Sequence, residues 1–172
     1  MEKGYVHVYT GDGKGKTTAA VGLATRAAGN GLAVGFLQFL KSGFTGEMVP
    51  LARMGVTYLA PQFSSKFVYQ MTEEEKEACA ITQQDLLSRA AELAQRLDVL
   101  VLDEVICAVD TGMITEADLL DLIKNRPAGL ELVLTGRGAT PAMLEQADYA
   151  TEMKCIKHPY DKGVKARTGI EL

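Results

Sequence analysis

The sequence predicts an α/β protein whose mostly parallel sheet is flanked by helices, and three observations carry that prediction. The apolar run Tyr5-Val6-His7-Val8-Tyr9 leads into the glycine-rich stretch Thr10 to Thr18, which passes directly into Ala19-Ala20-Val21-Gly22-Leu23-Ala24. That order reads as strand, phosphate-binding loop, helix. A second apolar run, Ala33 to Phe39, follows one helix length later, as a parallel βαβ crossover requires. A third, Val99-Leu100-Val101-Leu102, ends in Asp103-Glu104, the form of a buried parallel strand delivering a carboxylate to the sheet's carboxyl edge.

The first of these carries the chemistry. Thr10-Gly11-Asp12-Gly13-Lys14-Gly15-Lys16-Thr17-Thr18 ends in the Gly-Lys-Thr of a P-loop. Glycines let backbone N–H groups turn inward as an anion-binding nest, and the N-terminus of the next helix adds its dipole. Lys16 would reach the outer phosphates and the Thr17 hydroxyl would ligate Mg²⁺ (or Mn²⁺). The pattern departs from the usual one at its first position, where Thr10 stands in place of glycine. A glycine-rich turn with no ligand is the alternative. The strand before it and the helix after it favour the phosphate site.

Along the chain, Gly29-Asn30-Gly31 stops the first helix near Ala28. Gln38, Lys41 and Glu47 fall at or just beyond the carboxyl end of the second strand, where ligands of open α/β sheets bind. A short helix over 46–54 and a short strand over 56–59 follow. Residues 60–71 lack periodicity but hold Phe63, Phe67 and Tyr69, a substrate platform or a satellite cluster of rings. Thr72-Glu73-Glu74-Glu75 is a capping box. It opens a long helix with Leu86, Ala90, Leu93 and Leu97 on its core face, and Gln83, Gln84, Arg89, Glu92 and Gln95 on its solvated face. The acids after the third run form a Walker B pattern for Mg²⁺, with Asp103 and Glu104 on opposite faces if the strand continues. A further helix opens at Thr115. The strand Leu130 to Leu134 then runs into Thr135-Gly136-Arg137-Gly138, which presents a cation at the same edge. A short helix over 141–146 and a last strand over 150–153 complete the domain. Beyond it Lys154, Lys157, Lys162, Lys165 and Arg167 make the tail locally basic, as a solvated segment or as one facing bound anions.

Composition excludes several classes. The chain of 172 residues reads as a single domain, 1–172, with a net charge of −4 that leaves no footprint for nucleic acid. No apolar run would span a bilayer and the chain opens at its first strand, so a cytoplasmic protein without a leader or membrane contact is expected. Cys79, Cys107 and Cys155 are odd in number and far apart, against disulfides or zinc, and are expected as small buried hydrophobes. Two histidines, His7 and His158, leave little material for histidine-based acid–base catalysis.

With these residues in view, the chain resembles the P-loop ATP:cob(I)alamin (corrinoid) adenosyltransferases nearly throughout. The resemblance lies in the loop Thr10 to Thr18, Gln38-Phe39-Leu40-Lys41, Gly46-Glu47, Leu102-Asp103-Glu104, Arg126-Pro127 and Thr135-Gly136-Arg137-Gly138. It extends through Ala147-Asp148, Thr151-Glu152-Met153, Lys157-His158-Pro159 and Gly169-Ile170-Glu171. Thr at the first P-loop position is itself a feature of that family. The resemblance implies a three-layer, RecA-like P-loop NTPase fold, a homodimer, and a flavin-type electron donor among its partners. The implied reaction transfers the 5′-deoxyadenosyl group of ATP to a reduced Co(I) corrinoid and releases triphosphate, with ATP bound in reverse. Lys16, Lys41, Glu104 and Arg137 would carry it; Thr17, Asp103 and Glu104 would hold the metal; Gln38 joins residues 10–18 in binding ATP. Relatives commonly place a Gly-Phe-Thr-Trp-like segment at the corrinoid face; this chain has no tryptophan and offers Phe63 and Phe67 in that region. A phosphotransferase or ATPase, and a non-catalytic ATP- or corrinoid-binding module, are the alternatives.

Overall fold

Strands β2 (Val34–Gln38) and β4 (Val99–Asp103) are buried along their whole length, which explains why both read as continuous apolar runs without alternation. The computed structural model describes residues 2–41, 45–61 and 66–171. Around those two strands the chain orders β1 (Val6–Thr10), α1 (Lys16–Gly29), α2 (Met48–Arg53), β3 (Thr57–Leu59), α3 (Glu73–Ala94), α4 (Val105–Asp110), α5 (Glu116–Asn125), β5 (Glu131–Thr135), α6 (Pro141–Glu145) and β6 (Tyr149–Glu152). Single 3₁₀ turns lie at Val68–Gln70 and Pro159–Lys162. The six strands pair in the order β3-β2-β4-β5-β1-β6, and every pairing is parallel. Thus β1 and β2, joined through α1, are not neighbours; β4 and β5 lie between them.

Two apolar layers make the sandwich. On one face Val6, Val8, Leu37, Leu100, Leu102, Leu132 and Leu134 pack against α3, α4, α5 and α6. On the other, Val34, Phe36, Val99, Val101 and Val133 pack against α1 and Leu51 of α2. Helix α1 lies close to the sheet because its inward residues, Ala20, Ala24 and Ala27, are small. The capping box at Thr72 forms as predicted: its hydroxyl accepts the Glu75 N–H and Glu75 accepts the Thr72 N–H. The inward stripe of α3 is Leu86, Ala90 and Leu93. Leu97 lies past the helix end, with its side chain where a Cβ on Gly35 would stand.

Three further expectations are corrected. Strand β4 stops at Asp103, and Glu104 takes a left-handed backbone (φ 60°) that opens α4, an element without a sequence signal of its own. Gln83, expected on the solvated face of α3, is buried at 1% exposure. Cys79 is buried as expected, but Cys107 is half-buried among polar groups and Cys155 is exposed. Among the described residues no helix is long and apolar enough to cross a membrane.

Candidate active site

Parallel strands end together, so the carboxyl edge gathers what each strand delivers. β1 delivers the loop Thr10 to Gly15, β2 Gln38, β4 Asp103 and β5 Thr135. The loop enters α1 at Lys16, with Gly15 at φ 122° and no side-chain cap, so the first turn of the helix opens at the loop. The Lys16 ammonium donates to the carbonyls of Gly11 (2.6 Å) and Gly13 (2.9 Å) and is nearly buried. Thr17 is half-buried beside it, while Lys14 and Thr18 are exposed.

The glycines of this loop answer to a second demand that the sequence did not reveal. Residues Met153-Lys154 cross directly over the loop. A Cβ on Gly11 would stand 2.5 Å from the Met153 carbonyl oxygen, and one on Gly13 would stand 2.7 Å from it. The Gly13 N–H donates to that same oxygen at 2.7 Å, so this amide is turned to the chain rather than into the loop. Thr10, the departure from the usual pattern, accepts the Ala139 N–H at 3.4 Å and ties the loop to the turn after β5.

Asp103 is fully buried. Its Oδ1 accepts the Thr135 hydroxyl (2.7 Å) and its Oδ2 accepts the Gln38 amide (3.0 Å). Burial pushes its carboxyl above the usual range and Glu104 pushes the same way, against the Thr135 and Gln38 bonds and the charge of Lys41. The Gln38 amide donates also to Glu47 (2.8 Å), and its oxygen accepts from Thr45 (2.9 Å) and Tyr58. Gln38 thereby bridges two carboxylates, which fixes the orientation of its amide.

Glu104 is partly exposed, its N–H donating to the Thr135 hydroxyl at 2.9 Å. Beside it the Cys107 Sγ accepts the Arg137 N–H at 3.1 Å. Burial, then the Glu104 carboxylate, push the Cys107 thiol up to about 12, so it stays protonated. Gly136 (φ 144°) is required, because a Cβ there would meet the Cys107 nitrogen at 2.7 Å. The Arg137 side chain is exposed, its Nε 4.0 Å from the Asp12 carboxylate across the loop.

The structure thus brings Lys16, Gln38, Lys41, Asp103, Glu104 and Arg137 to one edge. Phe67 belongs to a different environment: its ring stacks on Tyr69 at 5.5 Å, and the two are 67% and 79% exposed. Neither ring is tucked into the core. Phe63 lies outside the described residues. Tyr58, Thr135, Cys107 and Met153 were not read as site residues in the sequence. Of these only Thr135 carried a usable signal, a polar residue closing an apolar strand.

An all-parallel sheet between two helical layers, with a glycine-rich loop joining β1 to α1, defines a protein of the P-loop NTPase type of fold. A family model described as ATP:corrinoid adenosyltransferase BtuR/CobO/CobP matches residues 2–172, and the chain belongs to that family. It is 36% identical over 171 residues to a corrinoid adenosyltransferase of Escherichia coli (strain K12), covering 99% of this chain and 86% of the relative. It is 37% identical over 172 residues to corrinoid adenosyltransferase CobA of Salmonella typhimurium, with 99% and 86% covered. To the corrinoid adenosyltransferase of Pseudomonas aeruginosa it is 35% identical over 174 residues, with 99% and 85% covered.

Proposed function

We propose that this protein transfers the 5′-deoxyadenosyl group of ATP to a reduced Co(I) corrinoid and releases triphosphate. The observation that carries the reading is the family match across residues 2–172, on a fold whose loop and carboxyl edge hold the matching residues together. The electron pair of the Co(I) substrate forms the Co–C5′ bond, the C5′–O5′ bond breaks, and the pair leaves on the triphosphate. No proton has to be taken from the nucleophile, so the protein's tasks are alignment and charge neutralisation.

Lys16, already inside the loop, needs only to exchange backbone carbonyls for phosphate oxygens. Arg137 faces the loop from the turn after β5, and Lys41 adds charge from the end of β2. These three suit a leaving group whose charge grows as the bond breaks. The donor set also suits Mg²⁺ (or Mn²⁺): the Thr17 hydroxyl and the partly exposed Glu104 carboxylate are hard oxygen ligands. Asp103, with both oxygens engaged, would act through water. A bound ion would supply further neutralisation of the triphosphate. Phe67, with Phe63, would offer the corrinoid an apolar, water-excluding surface. A homodimer, a flavin-type electron donor and a cytoplasmic setting complete the reading.

Incubation with ATP and chemically reduced corrinoid tests it. Triphosphate in equal amount to a light-sensitive alkylated corrinoid is expected. ADP or phosphate with unaltered corrinoid would overturn the assignment, and tight binding of both substrates without turnover would make it a carrier.

A further inference from the structure

The long helix α3 buries a glutamine on what its sequence marks as a polar face. Gln83 is 1% exposed, and its Oε1 accepts the Leu40 N–H at 3.0 Å. Leu40 has φ 55°, and Glu104 is the one other non-glycine residue with positive φ among the described residues. A left-handed conformation is disfavoured for an ordinary residue, so it persists only where its surroundings hold it. Here the Leu40 N–H is held by a side chain from another element, carried to the end of β2 by the burial of α3, and the Leu40 side chain packs on the core.

The turn at Leu40 redirects the chain. Gln38 closes β2 with its side chain in the polar junction, and Phe39 prolongs the pairing with β4, its N–H on the Asp103 carbonyl at 2.9 Å. An extended residue 40 would carry the chain straight on past the edge of the sheet. The left-handed residue turns it instead, and Lys41 follows two residues beyond Phe39, whose N–H is still held by the Asp103 carbonyl at the carboxyl edge.

We propose that Gln83 is a positioning residue for adenosyl transfer: by holding the Leu40 N–H it fixes the left-handed turn that presents Lys41 at the carboxyl edge. The proposal rests on the reading of Lys41 as a charge-bearing residue of the triphosphate site. Gln83 touches no substrate and acts only through residues 40 and 41. Gln83→Met keeps length and volume and removes the acceptor; Gln83→Glu keeps an acceptor oxygen.

The test measures kcat and KM for ATP in both variants, in Lys41→Ala, and in Lys41→Ala/Gln83→Met, with thermal melting of each. Gln83→Met is expected to lose about tenfold in kcat/KM, since a misplacement of an ångström costs one to two orders of magnitude. Gln83→Glu should recover most of that. In the Lys41→Ala background Gln83→Met should cost nothing further, because one residue acts through the other. Leu40→Gly should restore part of the loss, as glycine adopts positive φ without strain. An equal loss in both backgrounds would overturn the proposal and mark Gln83 as a packing residue only. Wild-type activity in Gln83→Met, with Lys41→Ala impaired, would also overturn it. Full activity in Lys41→Ala would overturn instead the reading of Lys41 on which it rests. Should Gln83→Met fail to fold, Gln83→Asn, which withdraws the acceptor by one methylene, carries the same expectations.

Discussion

Two regions of the molecule are built on opposite principles. At the sheet edge, Asp103, Gln38 and Thr135 are fully buried and linked by hydrogen bonds of 2.7 and 3.0 Å. Between β3 and α3, Phe67 and Tyr69 stack on each other in the open, while Val68 between them packs on the core. A buried polar junction holds its geometry before any substrate arrives, because an unsatisfied member would cost more than the whole arrangement contributes. Stacked rings in solvent gain little until something covers them. The sheet edge is therefore preorganised, whereas the stacked rings stand exposed to solvent.

Substitutions test this contrast in order of size. The largest effect on activity falls at Lys16: Lys16→Ala should lower kcat/KM for ATP by about 10³-fold, the scale of losing one charged group from a developing anion. Its melting temperature should fall by a few degrees as well, since the bond to the buried Gly13 carbonyl is lost. Asp103→Ala should act on the fold as well. It leaves the Thr135 hydroxyl proton and one N–H of the Gln38 amide without their acceptor in the interior, which costs about 3 kcal/mol, and for a chain of this size lowers the melting temperature by about 6–12 °C. Calorimetry or circular dichroism reads that shift directly.

Phe67→Ala probes the aromatic side. With a ring already in solvent, stability should stay within about 0.5 kcal/mol of the parent, while KM for the corrinoid rises and KM for ATP does not. A loss of stability matching that of Asp103→Ala would show the rings to be core and erase the contrast. The smallest effect is expected away from both sides. The Asp98 carboxylate accepts the Ala33 N–H at 2.9 Å, and that bond, first among the causes, holds its carboxyl below the usual range. A folded-state value below the unfolded one means that the contribution is present above the unfolded carboxylate pKa of about 3.9 and is lost as pH falls through the folded value. Urea titrations of Asp98→Asn and the parent should therefore differ slightly at pH 6 and converge in acid.

Much of the sheet edge was legible in the chain. The loop from Thr10 to Thr18, the acids closing β4 and the Gly-Arg-Gly after β5 are each local patterns, and the strand rule that carboxyl ends meet at one edge placed them together. Tyr58 and Thr45 on Gln38, Cys107 under Arg137, and Met153 across Gly11 and Gly13 were not legible. Each joins residues far apart in the chain or a side chain to a distant backbone atom, and no periodicity records such pairs. Gln83 misled for the same reason: a polar residue on an amphipathic helix is assigned to water unless its buried partner is already known.

Local chain chemistry was enough to specify that β1 would pass through a glycine-rich turn into α1, because backbone freedom at glycine and a helix N-terminus are local properties. It pointed to a mostly parallel sheet as well, since apolar strands separated by helices pack as parallel βαβ units. Only the assembled layers settled that β4 and β5 insert between β1 and β2. They also settled that Met153 takes the Gly13 amide, and that the turns at Leu40 and Glu104 are left-handed. Those outcomes depend on which surfaces meet once the layers close, and close packing selects among conformations that the local chain leaves nearly equal in energy.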